Sequence, residues 1–545
     1  MTENRNQWFH SHANVAAVCV TLLAFLARLW SASGTFLNPD EALHFRLANQ
    51  VSLALAYKAS LTAFHPPLFI VLLYFWRSLG ASDLWLRLPS VIAGTVFCWM
   101  FYKWLAKAAG SLAGFIGLLF VAFLPPLVGL AAEMRQYALL MAFLVSALYL
   151  LDEAFAKNSH RRMAAFFLCL YLAMLFHYSA FLFAAALGIY ALFRIFTERP
   201  HAKLVTAWAI TQLGGLALAG FLYKTHLSKL GAGNSRGPLQ GWMSEFYLQR
   251  SYFHPAQDNP VLFLVGHTFG VFQYFFGQLA VGDVMAIFFV VGVVILLRRK
   301  GSPEDRSRRL AVFLLAPFAV AGAVSLAHVY PYGGTRHMSF LVIPAVAGVS
   351  VAIACLAAGW PGKRSTEKRW ERGLAIAALV IVACVVFGKP RQPRIARADQ
   401  SRRHMAEALN FIRGSVKPAD LIFTDYQGDL MLGHYLCQQR PISVEYTPAN
   451  FEQFSCAGHQ IVSSDFRTWM FWADTFPREW QRLVLTRNLK PGDTVWVFQA
   501  GWGVDLPEDL RRHHAEFRDL QFESFGNNIK IFRMTVGQPM PAADP

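Results

Sequence analysis

The chain has 545 residues, 55% of them hydrophobic, and a formal net charge of +17. Its apolar residues gather into repeated runs, which excludes a single soluble globular domain and points to a multi-spanning membrane protein. On a soluble chain that charge would raise nucleic-acid binding; here Lys and Arg cluster in short segments between apolar runs, so topology accounts for the excess and no nucleic-acid partner is expected.

The first run, about residues 13 to 33, is too long for a signal-peptide core and carries Arg28 and Trp30 near its end, so it reads as a retained span. Further runs of spanning length follow at about 88–106, 111–131, 137–156, 163–178, 179–196, 204–223, 283–298, 309–329, 338–358 and 373–388, about eleven helices in all. Two shorter apolar stretches, 65–80 and 261–280, read as interfacial: the first opens on two prolines, and the second is interrupted by His267, Gln273 and Gln278.

With those two left out of the bilayer, every strong cation cluster falls on one side. The clusters are Lys103 with Lys107, Lys157 with Arg161 and Arg162, Arg194 with Arg199 and Lys203, Arg298 to Arg309, and Lys363 to Arg372. Positive loops stay in the cytoplasm, which sets a cytoplasmic N-terminus and an extracytoplasmic C-terminal region in an inner, or cell, membrane. The outer face then collects "FLNPDEALHF" (36–45), "FHPPLF", "LRLPS", "AAEMRQYAL", "LFHYSA" and "YPYGGTRHM".

In the first of these, Asp40 and Glu41 follow Pro39 and open an amphipathic stretch. A carboxylate at the membrane surface is partly desolvated, which suits it to act as a base or a metal ligand. The same pair also reads as a helix start, with Asp40 as N-cap and Glu41 complementing the dipole. Arg87 and Arg135 stand at outer helix ends, where an arginine is either an interfacial anchor or a fork of donors for a phosphate. Glu133 and Arg135 are two residues apart and do not face each other on a helix, so each needs another partner. In "YPYGGTRHM" the paired glycines Gly333 and Gly334 permit close backbone approach to a ligand, and Arg336 with His337 supplies cationic donors; an ordinary turn flanked by belt tyrosines is the alternative. His65, and His177 with Tyr178, are polar groups at the same level, without the paired spacing that a metal site needs.

The tail, 390–545, opens on a basic linker and alternates helix and strand: a helix near 402–413, strands 419–425, 494–500 and 529–536, hence a small α/β domain after a membrane domain of residues 1–389. Five of the seven cysteines lie in apolar runs; Cys437 and Cys456 lie in this polar tail, as a disulfide or as two thiols.

An outer membrane face has no nucleotide sugars, whereas a lipid-phosphate-linked sugar arrives there already activated. Its transfer needs a carboxylate to take the acceptor's proton and cations to stabilise the leaving phosphate. The order "NPDEALHFR", "HPPLF", "RLPSVIAGT", "EMRQYALLMAF", "HYSAFLF", "YGGTRHMSFLVIPA" resembles the GT-C membrane glycosyltransferases of the protein-mannosyltransferase type, family 39, which include the lipid A aminoarabinose transferases and Rgt-like proteins. The resemblance covers about residues 10 to 360. It implies a mainly α, polytopic helix bundle with interfacial helices in the first outer loop. It also implies an inverting transferase that takes a sugar from a polyprenyl-phosphate donor in the bilayer to a protein, lipid or glycan acceptor. Asp40, with Glu41, becomes the catalytic carboxylate pair; Arg87, Arg135, Arg336 and His337 become donor-phosphate ligands; His65, Glu133, Tyr137, His177 and Tyr178 become substrate-binding. A divalent metal stays open. Where lipid A transferases carry a lysine before the proline of the second motif, this chain has His65, which counts against a lipid A acceptor. A polysaccharide ligase or polymerase on a related scaffold is the enzymatic alternative, and a lipid-linked-sugar flippase the non-enzymatic one.

Overall fold

The structure, a computed structural model, describes residues 2–230, 248–299, 304–358, 369–388, 400–418, 420–437, 451–465, 468–502 and 505–537. Lys300, Lys363, Arg364, Lys368 and the linker 389–399 lie outside them. The chain forms two compact units. The first takes Met1–Ala32, Leu61–Phe69 and Arg87–Arg391; the second takes Ser33–Ser60, Ile70–Leu86 and Gln392–Pro545. The tail expected from residue 390 thus shares its unit with two segments from the first 86 residues.

The helices are α1 (Thr2–Ser33), α2 (Pro39–Ala48), α3 (Leu53–Ser60), α4 (Leu68–Trp76), α5 (Asp83–Ala109), α6 (Ser111–Phe123), α7 (Pro125–Ala132), α8 (Tyr137–Ala156), α9 (His160–Phe176), α10 (Ala180–Glu198), α11 (Ala202–Thr225), α12 (Pro260–Phe276), α13 (Leu279–Arg298), α14 (Glu304–Leu326), α15 (Val342–Ala357) and α16 (Arg369–Phe387). In the second unit follow α17 (Arg402–Ser415), α18 (Tyr426–Tyr435), α19 (Phe476–Arg487) and α20 (Leu506–His513).

Among the described residues, nine helices are long and apolar enough to cross a bilayer, and a tenth span exists if α6 and α7 count as one. Eleven were expected. The difference is α9: its 17 residues rise about 26 Å, at the lower end of the ~17–25 residues of a spanning helix, and it runs back beside α8 from His160 to bring His177 against Tyr137. The stretches expected to be interfacial form short apolar helices, Leu68–Leu79 and Pro260–Phe276.

The α6–α7 pair bends by 58°. Pro125 forces Leu124 into an extended conformation (φ −62°, ψ 124°) and cannot donate to the α6 ladder. Arg28 fills the break: buried to 1% exposure, its guanidinium donates to the carbonyls of Val121 at 2.7 Å and Ala122 at 3.0 Å. A broken helix at membrane depth needs its carbonyls satisfied inside the protein, and Arg28 does this. Elsewhere small residues let helices touch backbone to backbone. A Cβ on Gly292 of α13 would stand 2.3 Å from the Gly348 carbonyl of α15.

The second unit is an α/β sandwich around a six-stranded sheet in the order β2-β3-β1-β4-β6-β5. The strands are β1 (Leu421–Thr424), β2 (Glu452–Cys456), β3 (His459–Ser463), β4 (Thr494–Ala500), β5 (Phe522–Ser524) and β6 (Ile529–Thr535). β1 runs parallel to both β3 and β4, and the remaining pairs are antiparallel. Side chains alternate along each strand. Ile422, Ile461 and Phe498 pack with α17 and α18 on one face, and Phe423, Val462 and Val497 pack with α19 and α20 on the other. Phe36 and Ala42, from the first loop of the chain, belong to the first of these cores. Cys437 and Cys456 form a disulfide.

Candidate active site

In the first unit, α7 ends at Ala132, Glu133 is extended (φ −97°, ψ 147°) and α8 starts at Tyr137. The Arg135 backbone N–H donates to the Glu133 carbonyl at 2.8 Å. The Arg135 carbonyl accepts from Ser90 Oγ at 2.9 Å. This tight reversal buries Arg135 to 2% exposure and sets its guanidinium 5.6 Å from the centre of the Tyr137 ring. Around Tyr137 stand three histidines: ring centroids lie 6.3 Å away for His65, 5.2 Å for His177 and 6.4 Å for His337. His65 and His177 are 5.0 Å apart.

His177, 1% exposed, occupies the break between α9 and α10. Its Nδ1 accepts from the Ser179 N–H at 3.1 Å, so the ring proton of the neutral form sits on Nε2. That Nε2 is buried with no hydrogen-bond partner among the described residues. Arg135 and Arg336 both act electrostatically on this ring. Gln136 is also fully buried, with neither end of its amide bonded among the described residues. Such unmet donors around two guanidinia form a surface that an anionic, oxygen-rich group would satisfy.

Residues 64–223 match the family model for dolichyl-phosphate-mannose-protein mannosyltransferase. No curated protein sequence matches the chain. Among solved structures, ArnT from Cupriavidus metallidurans in the apo state is similar over 97% of this chain and 99% of its own, at 11% identity and a TM-score of 0.51. The same protein bound to undecaprenyl phosphate gives 12% identity and a TM-score of 0.50, over 96% and 99%. The oligosaccharyltransferase of Archaeoglobus fulgidus, in complex with Zn and sulfate, is 12% identical with a TM-score of 0.50, over 88% of this chain and 67% of that one.

The fold is that of the GT-C glycosyltransferases. Within it, five residues singled out in the sequence, His65, Arg135, Tyr137, His177 and His337, make one cluster, and Arg336 reaches it electrostatically. Tyr178 turns elsewhere: its hydroxyl meets His226 Nδ1 at 2.5 Å, and His226 Nε2 donates to the Ala63 carbonyl at 3.0 Å. Arg87, 1% exposed, donates to the Ala32 carbonyl at 2.8 Å near the end of α1. The paired glycines approach protein rather than leaving room for a ligand. A Cβ on Gly333 would stand 2.6 Å from His267 Nδ1, and one on Gly334 2.4 Å from the Gly270 carbonyl, both on α12.

The acidic pair, Asp40 and Glu41, lies in the second unit, and its members differ. The N-cap of α2 is Asn38, not Asp40: Asn38 Oδ1 accepts from the Glu41 N–H at 3.0 Å, and Glu41 Oε2 accepts from the Asn38 N–H at 2.9 Å. Pro39 takes the first helical position, and this capping box commits the fully buried Glu41 to the helix start. Asp40 takes no part in the box; its carbonyl accepts from His44 Nδ1 at 2.6 Å.

Helix α2 lies across the carboxyl edge of the parallel strands, where open α/β sheets bind ligands. At its start, a Cβ on Gly501 (φ +140°), just after β4, would stand 3.0 Å from Pro39 Cγ. Near its end, Arg46 donates to Asp429 at 2.5 Å and to both oxygens of Glu452 at 2.9 Å. Asp429 follows β1, and Glu452 pairs with Ser463 at the end of β3. Burial works against the Arg46 charge; Asp429, then Tyr426 and Glu452, outweigh it and raise its pKa. This anchor is not legible in the sequence, since Arg46 reads as the polar face of an amphipathic helix and Asp429 lies 383 residues away.

Among the described residues, no set of three or more His, Cys, Asp or Glu could hold an ion, and His65 and His177 meet ring to ring, tilted by 31°.

Proposed function

We propose that the chain is an inverting glycosyltransferase acting on the outer face of an inner membrane, with a polyprenyl-phosphate-linked sugar as donor and a hydroxyl-bearing glycan, lipid or protein as acceptor. Asp40 takes the acceptor hydroxyl's proton as its oxygen attacks the anomeric carbon. The bond from that carbon to the phosphate oxygen breaks, and the polyprenyl phosphate leaves with the electron pair. Arg135, Arg336 and the Nε2–H of His177 hold the phosphate oxygens as charge develops there; Gln136 and His337 complete the donor set. His65 and Tyr137 form the sugar-side wall. Arg87, Glu133 and Tyr178 shape the segments that carry these groups, and Glu41 holds the start of α2.

The observation that carries this reading is buried Arg135 and His177, with the unmet Nε2 donor of His177 and the half-buried Arg336 acting on the same ring. The undecaprenyl phosphate of the similar ArnT structure supports the lipid-phosphate donor class. In membranes supplied with radiolabelled polyprenyl-phosphate sugars, wild type transfers label, whereas Asp40→Asn and Arg135→Gln do not. Full transfer by Asp40→Asn overturns its role as base, and label that crosses the bilayer without forming a product overturns the enzyme reading in favour of a flippase.

The orientation has its own check. Cysteines placed at Lys103 and Lys157 are shielded from a membrane-impermeant reagent added outside; labelling of either reverses the topology.

A further inference from the structure

The first unit holds a second polar centre, remote from His177. A cavity of about 110 Å³ is lined by Lys107 of α5, Asp152 of α8, Arg194 of α10, and Arg306 and Arg309 of α14, with Trp104 on one wall. Tyr137 opens α8 and Asp152 lies fifteen positions further on, so along this helix the two centres are about 22 Å apart.

The carboxylates here are already spent. Asp152 accepts from Tyr190 Oη at 2.6 Å, Arg194 Nη1 at 2.7 Å and Trp104 Nε1 at 3.2 Å. Arg194 gives its other two donor groups to Glu198, which Arg309 also engages. Glu153 takes Lys107, Lys157 at 2.9 Å and Arg162 at 3.3 Å. Of the described residues that line the cavity, Lys107, Arg194, Arg306 and Arg309 are cationic and Asp152 is a carboxylate. The excess positive charge lines an open cavity, with Arg306 at its exposed rim.

The volume suits a phosphate with a short polar attachment, and arginine forks match phosphate oxygens. The helices that carry the cavity present a lipid-facing exterior: Ile189 and Phe196 of α10 are 46% and 77% exposed, and Leu315 of α14 is 44% exposed. Acyl chains lying along those faces would bring a headgroup to the rim, an arrangement that fits a basic pocket between spanning helices. We propose that this cavity binds the phosphate headgroup of an anionic membrane lipid, independently of sugar transfer.

The test uses the full chain in nanodiscs. Spin-labelled phosphatidylglycerol shows a motionally restricted component with wild type that exceeds that of spin-labelled phosphatidylcholine. The excess disappears in the double variant Lys107→Gln/Arg306→Gln and persists in Arg161→Gln, an exposed cation outside the cavity. Thermal unfolding in phosphatidylcholine discs gives a second readout: adding phosphatidylglycerol to the discs raises the wild-type Tm and not that of the double variant. An excess of equal size in both proteins, or no preference over phosphatidylcholine, overturns the site. Restoration of the full Tm gain by inorganic phosphate alone overturns the lipid as occupant in favour of a soluble phosphate.

Discussion

Asp429 accepts a 2.5 Å hydrogen bond from Arg46, with side chains 0% and 6% exposed and a sequence separation of 383. Glu452 grips the same guanidinium from a second side. Removing one partner of a buried pair strands the other, at a cost of about 3–5 kcal/mol. Asp429→Ala therefore lowers the thermal unfolding temperature of the detergent-solubilised protein. An Arg46→Met/Asp429→Leu double variant loses less than Asp429→Ala, because the one charge it leaves, Glu452, is 27% exposed and keeps contact with water. A double variant as unstable as the single one refutes the stranded-charge explanation.

Asp40 and Glu41 are separable by mutation. Glu41→Gln keeps an acceptor for the Asn38 N–H and behaves as wild type, while Glu41→Ala costs about 1 kcal/mol through the lost cap. Asp40→Asn leaves stability unchanged and abolishes sugar transfer. Unfolding curves and transfer assays on the three variants check this; a stability loss in Asp40→Asn larger than that of Glu41→Ala contradicts it.

Asp425 caps α18 and accepts from the Gly428 and Phe471 N–H groups at 2.8 and 3.1 Å. Burial nevertheless pushes its carboxyl from the ordinary 3.8 up to about 7, with Asp429 nearby adding to the rise. Between pH 4 and 7 the folded form holds a proton that the unfolded chain has released. The folded state binds more protons, so this group's contribution to stability is full below about pH 4 and is lost as pH rises to about 7. Asp425→Asn keeps the cap acceptor and removes the titration. Urea unfolding from pH 4.5 to 7.5 falls less steeply for the variant than for wild type; parallel slopes exclude the assignment.

The Cys437–Cys456 disulfide closes a loop over a sequence separation of 19. Loops of that size contribute about 3 kcal/mol. Cys437→Ser/Cys456→Ser, or reduction under mild denaturant, lowers the stability of the second unit by that order, and limited proteolysis reads the loss within residues 392–545. Alkylation without prior reduction leaves both cysteines unmodified in mass spectrometry.

The spans were legible because twenty-residue apolar runs have few other uses, and the α/β tail because β1, β4 and β6 are runs of Val, Ile and Phe. β2 and β3 escaped notice because "EQFSC" and "HQIVS" mix polar with apolar residues, and their turn uses Ala457 and Gly458 at φ 52° and 85°, a weaker signal than Asn-Gly. In the site, motif order put His65, Arg135, His177 and His337 at one level, and these side chains do stand together, since each sits where a helix breaks. The capping residue was misread by two positions: Asn38 stands before the proline, and a cap followed by Pro at the first helical position is the more regular start. Arg28 drew notice only as the end of a span, because the carbonyls it serves belong to a break about 93 residues further on.

Because Ser33–Ser60 completes the second unit, the order of synthesis matters. At about 5–20 residues per second, α2 leaves the ribosome some 20–75 s before Asp429 exists to receive Arg46. During that interval Phe36, Ala42 and an uncompensated guanidinium wait at the membrane while most of the bundle is threaded. Nascent chains arrested before residue 429 therefore expose this segment to proteases, and the full-length chain does not: the loop that bears Asp40 is among the first parts of the chain to be made and among the last to find its place.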